Sequence, residues 1–153
     1  MKYLVDTGIL LRIFDSDDPH CAAIRSMFRV LRSNSDELFF AFQNAAEFWN
    51  VSTRPTSARG GYGHDIGRVN LRLQFIERFA GRLVETHTSY EKWKELLVTH
   101  SVSGVAVHDA RLVSVMSASG ISHVVTLNTA NFDRYPQVTA VTPDDILRGS
   151  QHT

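Results

Sequence analysis

Apolar residues fall into two rhythms along this chain. Short runs of consecutive apolar positions read as strands buried on both faces, and stretches with apolar residues three or four apart read as amphipathic helices. The strands predicted in this way are "KYLVD" (2–6), "ELFFAF" (37–42), "RLVETH" (82–87), "HVVTLN" (123–128) and "VTAVTP" (138–143). Helices are predicted over "TGILLRIF" (7–14), from Asp18-Pro19 to near Leu31, and over "NAAEFWNVSTR" (44–54). Further helices are predicted through Val69, Leu73, Phe75, Ile76 and Phe79, over "YEKWKELLVTH" (90–100), and from His108 onward. Gly81 reads as a helix stop, and Thr88 with Glu91 as a capping box.

Strands that alternate with helices imply a parallel sheet covered on both faces. The expected fold class is therefore α/β, a three-layer α/β/α sandwich with a mainly parallel central sheet. At 153 residues the chain can bury one real core. A single domain is expected over 1–146, with a C-terminal tail at 147–153. The polar stretch "RPTSARGGYGHDIGR" (54–68) joins two helices and does not read as a domain linker.

Lysine plus arginine balance aspartate plus glutamate at 16 each, so no bulk field draws the chain to nucleic acid or membrane. A polyanion must be handled by a local patch or a metal ion. The lone cysteine, Cys21, excludes an intramolecular disulfide and a cysteine-based zinc site, and it fits a reducing compartment. Asp6 interrupts the apolar start and no small-residue cleavage site follows, so no signal peptide is expected. No apolar run is long enough to span a bilayer, and the expected location is cytoplasmic.

One helix breaks the apolar rule. In "VAVHDARLVSV" (105–115), Asp109 shares its stripe with Leu112, Val113 and Met116, the face that turns inward. In open α/β sheets, sites lie beyond the carboxyl ends of the strands. Asp6 ends the first strand, Glu47 lies early in the helix after the second, and Asn128 ends "HVVTLN". Asp6 could equally be an N-cap, and Glu47 and Asp109 could simply favour the positive ends of their helices. Gathered at one spot, however, carboxylates repel and resist ionising unless a cation joins them. Oxygen ligands without cysteine favour a hard ion, Mg²⁺ or Mn²⁺. His108, next to Asp109, faces a different way and reads as a packed or solvent-facing residue.

The segments "YLVDTGILL", "NAAEFWNV" and "GVAVHDARLVSVMSASGISHVVTLNTANFDRYPQVTAVTP" together resemble a PIN domain, the ribonuclease fold that includes VapC-like toxins. The resemblance leaves out most of 54–100. It implies that Asp6, Glu47 and Asp109 are catalytic, metal-binding acids and that RNA phosphodiesters are hydrolysed to a 5′-phosphate and a 3′-hydroxyl. It also implies a toxin of a toxin–antitoxin pair, with a cognate antitoxin as partner and a homodimer as the common assembly. The apolar helices around Phe14, Met27 and Phe28 are the sequence's own hint of self-association.

This chain departs from the family pattern at one place. Where relatives often carry a fourth acid, the segment reads "TLNTANF", with Asn128 and Asn131 at the two candidate positions and Asp133 displaced beyond Phe132. Asn128 is expected to supply a carbonyl oxygen to the metal, and Asp133 to lie in a surface turn. Arg54, Arg59, Tyr62 and Arg68 in the polar stretch are candidate RNA-binding residues, because arginines hold phosphates and a tyrosine stacks on an unpaired base. Two alternatives stand beside the nuclease. One is a PIN-like module that binds RNA or protein with an incomplete metal site. The other is a haloacid-dehalogenase-type phosphatase, which needs an acid where this chain has Gly8.

Overall fold

The structure is a computed structural model that describes residues 1–150. Five strands form one sheet: β1 (Lys2–Val5), β2 (Glu37–Ala41), β3 (Gly81–Leu83), β4 (His123–Val125) and β5 (Thr139–Val141). The order is β3-β2-β1-β4-β5 and every neighbouring pair is parallel. All five lie where the apolar runs predicted them, each ending one to three residues before the end of its run or, for β3, four.

The helices are α1 (Thr7–Arg12), α2 (Cys21–Ser33), α3 (Phe42–Thr53), α4 (Ile66–Phe79), α5 (His87–Thr99), α6 (Val107–Ala118) and α7 (Pro143–Ser150). They cover the sheet with two apolar clusters. One gathers Ile9, Leu10, Ile24, Met27, Phe48 and Ile76. The other gathers Leu4, Leu112, Val113, Met116, Val124 and Phe132. The chain thus forms the expected α/β/α sandwich, with a sheet that is wholly parallel.

Several local expectations need correction. Gly81 does not stop α4; it is the first residue of β3, where an added Cβ would stand 3.1 Å from the Phe39 ring. α4 ends instead at Ala80, whose extended backbone breaks the helix. α5 starts before Tyr90, capped by Thr86 and Ser89: Ser89 N donates to Thr86 Oγ1, and Thr86 N to Ser89 Oγ. A short-range hydroxyl pair has displaced the Thr88–Glu91 box. Residues 147–150 of the expected tail lie in α7, and 151–153 lie outside the described residues.

The polar stretch between α3 and α4 is folded back onto α3. Tyr62 N donates to Val51 O, His64 N to Ser52 O, and Gly63 N to Arg54 O. Met27 is fully buried, and Phe14 and Phe28 are half-buried in an aromatic chain with Phe48, Phe75 and Phe79. Met27 therefore offers no outer surface for self-association. Among the described residues, no helix is long and apolar enough to cross a membrane.

Candidate functional site

The carboxyl ends of β1, β2 and β4 carry the site. Parallel pairing of β1 with both β2 and β4 brings together residues as distant in sequence as Asp6 and Thr126. Asp6 lies just past β1 and is the N-cap of α1, so its bland role is real: Oδ1 accepts from Thr7 N at 2.8 Å. Its other oxygen, Oδ2, accepts from Thr126 Oγ1 at 2.7 Å. Burial raises the Asp6 carboxyl above its ordinary range, these two hydrogen bonds oppose the rise, and the Glu47 charge adds to it.

Glu47 stands on α3, about one helical turn beyond Gln43. Its two oxygens are also held: Oε2 accepts from Thr7 Oγ1 at 2.8 Å, and Oε1 from Gln43 Nε2 at 2.9 Å. Behind them sits the fully buried Asn44, whose Nδ2 donates to Thr7 Oγ1 and whose Oδ1 accepts from Ala41 N. Asn44 thus caps the start of α3 and orients the threonine that orients Glu47. Gln43 also donates to His108 O at 3.1 Å, which fastens α3 to the head of α6.

Asp109 is the third acid, in the first turn of α6 and half-buried above Leu112, Val113 and Met116. Among the described residues, no donor engages its carboxylate. Partial burial, then the charges of Asp6 and Glu47, push its pKa up to about 6, while His108 and Arg134 pull the other way. Asp6, Glu47 and Asp109 therefore lie within one another's fields, with two of them clamped and the third free.

Asn128 lies on the same edge, past β4, at the head of a short 3₁₀ turn (Thr129–Phe132), and is exposed. Its backbone N donates to Thr126 Oγ1 at 3.0 Å. The structure thus connects Asn128 to Asp6 through one hydroxyl and does not draw its side chain into the acidic group. Asp133 is exposed beyond the buried Phe132, the turn position expected of it.

The RNA-binding candidates are spread more widely. Arg54 is half-buried and spends Nη2 on the Arg59 carbonyl, while Tyr62 packs against the core beside His64. Arg59 and Arg68 are exposed, and Arg68 Nη1 lies 3.4 Å from His64 Nδ1.

Sequence reasoning missed Thr7, Gln43, Asn44, Thr126 and Arg134. Thr7 follows Asp6 directly, and Gln43 precedes Glu47 by one turn, so both were within reach of a local reading. Thr126 was not, because its partner is 120 residues away.

The donor set suits a hard cation. It is made of oxygens, and two of the carboxylates are pre-oriented by hydroxyl, amide and backbone donors, as outer-shell partners orient metal ligands. Among the described residues, no three His, Cys, Asp or Glu side chains are drawn together tightly enough to form a ready-made ion cage. An open acidic edge of this kind suits an ion that keeps several of its waters, as Mg²⁺ does.

The PIN domain profile matches residues 3–138, from β1 almost to β5. The chain belongs to the PIN-domain family. No curated protein sequence matches it significantly. Its fold is similar to that of a chain in the Rickettsia felis VapBC2 complex bound to promoter DNA, at 15% identity and a TM-score of 0.69, covering 93% of this chain and 98% of that one. A chain of VapBC-1 from nontypeable Haemophilus influenzae gives 14% identity and a TM-score of 0.69, covering 94% and 99%. VapC20 of Mycobacterium tuberculosis, a toxin that cleaves the sarcin–ricin loop, gives 17% identity and a TM-score of 0.55, covering 80% and 86%. The PIN fold therefore extends over nearly the whole chain.

Proposed function

We propose that this PIN-domain protein is a Mg²⁺- or Mn²⁺-dependent endoribonuclease and the toxin of a toxin–antitoxin pair. One observation carries the reading: Asp109 holds an unengaged, half-buried carboxylate in the field of two others whose orientations are fixed by protein donors. A fold gains nothing from such crowding unless a cation offsets it.

Asp6, Glu47 and Asp109 would hold the ion, with Asn128 adding a carbonyl oxygen. A bound ion would lower the pKa of a coordinated water and offset charge on the phosphate under attack. Thr126 and Thr7 keep the Asp6 carboxylate aimed, and Thr7 and Gln43 do the same for Glu47. Burial and the charges of Asp6 and Glu47 raise the Asp109 pKa to about 6, and a bound cation would favour its carboxylate form. Exposed Arg59 and Arg68 would meet RNA phosphates near the fold-back loop.

Membership of the PIN family supports hydrolysis of RNA. The likeness to chains of VapBC complexes, and to a toxin that cleaves the sarcin–ricin loop, supports a cognate antitoxin as partner. We infer a two-fold homodimer and a cytoplasmic location from the same family membership.

The test is RNA cleavage by the purified protein with Mg²⁺, with Mn²⁺ and with excess EDTA, for wild type and Asp109→Asn. Metal-dependent cleavage that Asp109→Asn abolishes is the expected result. Cleavage that survives EDTA overturns it. The open acidic edge favours one second reading, a PIN-like module that binds RNA or protein without cutting. RNA binding with no cleavage in either metal would establish that alternative.

A further inference from the structure

A pocket of about 370 Å³ opens between α5 and α6, next to the acidic edge. Small-molecule sites run from about 300 to 1,000 Å³, so its size suits one compact ring system. From α5 and its N-cap it is lined by Thr86, Ser89, Tyr90 and Trp93, spaced three or four apart. On α6 it is lined by His108 and Arg111 among others.

Two features of the lining face the open pocket. Tyr90 is 53% exposed, with its ring 6.0 Å from Trp93 and tilted 33° to it, so the two form an aromatic wall open to solvent. Trp93 cannot swing away, because Nε1 donates to Val107 O at 3.0 Å. Opposite, Arg111 Nε and Nη2 donate to the two Glu85 carboxylate oxygens at 2.7 and 2.9 Å. That pairing leaves Nη1 as a donor, and the Glu85 oxygens keep lone pairs. The pocket thus offers an aromatic wall and a fixed edge with both donor and acceptor, which are the two things a nucleobase needs.

The pocket is also tied to the acids. His108 lines it, and the next residue is Asp109. Gln43 Nε2 reaches both His108 O and Glu47 Oε1, at 3.1 and 2.9 Å. The Glu47 charge also acts on Arg111.

We infer that this pocket seats one unpaired nucleobase of the RNA strand, beside the phosphate presented to Asp6, Glu47 and Asp109. Tyr90 and Trp93 stack on the base, and the Glu85–Arg111 pair reads its edge. The inference rests on the ribonuclease reading for its strand. It makes the pocket the determinant of which nucleotide flanks the cut.

Binding can be measured without cleavage. The metal-free protein in EDTA is titrated with the four 5′-nucleoside monophosphates and with ribose 5-phosphate, following the two indole N–H resonances by NMR. Trp93→Phe assigns them. At least one nucleotide is expected to shift Trp93 while Trp49 stays still, and ribose 5-phosphate is expected to shift neither. Tyr90→Ala removes an exposed ring and is expected to weaken binding about tenfold, the loss of one stacking contact. On RNA, the same variant is expected to change cleavage-site preference. The inference is overturned if no nucleotide shifts Trp93, or if ribose 5-phosphate does so equally well. It is also overturned if Tyr90→Ala leaves nucleotide binding intact and instead changes the oligomeric state, which would make the pocket an interface between copies. Cleavage that persists with no Trp93 shift removes the pocket alone; a Trp93 shift without cleavage of any RNA removes the nuclease reading alone.

Discussion

Thr126 and Asp6 are joined across 120 residues of chain by a 2.7 Å hydrogen bond from Thr126 Oγ1 to Asp6 Oδ2. The same hydroxyl accepts from Asn128 N at 3.0 Å, so one buried side chain orients an acid on the first strand and the turn after the fourth. Thr126→Val keeps the shape and removes both bonds. The variant is expected to lose about 1 kcal/mol of stability, because two part-buried hydrogen bonds are lost. The hydrogen bond lowers the Asp6 pKa, so its loss raises that pKa further and weakens metal binding. Urea unfolding and a metal titration of cleavage check both halves. Full activity at unchanged metal demand would remove Thr126 from the site.

Asp109 sets a pH dependence whose sign can be worked out. Its folded pKa is raised from 3.8 to about 6, so between those values the native state binds more protons than the unfolded one. Metal-free stability therefore falls as pH rises through that window, and the contribution present below about pH 4 is gone above about pH 6. Screening at a half-open site holds the effect to about 1 kcal/mol. Asp109→Asn is expected to flatten this slope and to stabilise the metal-free protein by a similar amount near neutral pH. Adding Mg²⁺ or Mn²⁺ is expected to raise the wild-type Tm and to move the variant little. A variant less stable than wild type at pH 7 would mean that the carboxylate supports the fold.

The fold-back loop separates structure from binding within a pair of arginines. Arg54 Nη2 donates to Arg59 O, so Arg54→Ala is expected to loosen the loop and lower the Tm by a few degrees. Arg59 is exposed, and Arg59→Ala is expected to leave the Tm alone while flattening the salt dependence of RNA binding. An unchanged salt slope for Arg59→Ala places the RNA path elsewhere.

Gly61 is the fixed point of that loop. A Cβ there would stand 2.4 Å from both the Arg54 and Pro55 carbonyl oxygens, a clash with backbone that no side-chain motion relieves. Gly61→Ala is expected to cost about 1–3 kcal/mol, the range for overpacking a tight site. Thermal unfolding measures it, and a neutral result would show that the loop can open freely.

What could be read from the sequence follows from range. Strand positions were legible because a run such as "LFFAF" (38–42) is apolar at every step, which suits a sheet covered on both faces. Asp109 was legible because a carboxylate on a stripe with Leu112 and Met116 contradicts its helix. Helix starts were less so: Thr86 and Thr88 offer the same hydroxyl, and only the position of Ser89 decides which one caps. Thr126 was invisible, since a threonine at a strand end is ordinary until parallel pairing sets it against Asp6. The ring contacts of Phe14 and Phe28 were not legible, because their partners Phe48, Phe75 and Phe79 come from distant segments.

The last question is the fourth ligand. Asn128 stands on the acidic edge, bound to the Asp6–Thr126 pair through its backbone, and its exposed side chain is free to turn toward an ion. An amide carbonyl is an acceptable ligand for a hard cation but brings no charge. A site ligated in this way would hold its ion less tightly than one with a fourth acid, and activity is expected to need more metal. Asn128→Asp restores the charge and is expected to lower the half-saturating Mg²⁺ concentration about tenfold, at the cost of a still higher Asp109 pKa in the metal-free protein. Asp133 is the competitor, exposed one residue beyond the buried Phe132. Asp133→Ala is expected to leave the metal requirement unchanged. The check is a metal titration of cleavage for wild type and both variants, with the Tm in EDTA recorded alongside. If Asp133→Ala raises the metal requirement sharply while Asn128→Asp leaves it untouched, the 3₁₀ turn presents Asp133 to the ion and Asn128 serves only as its cap.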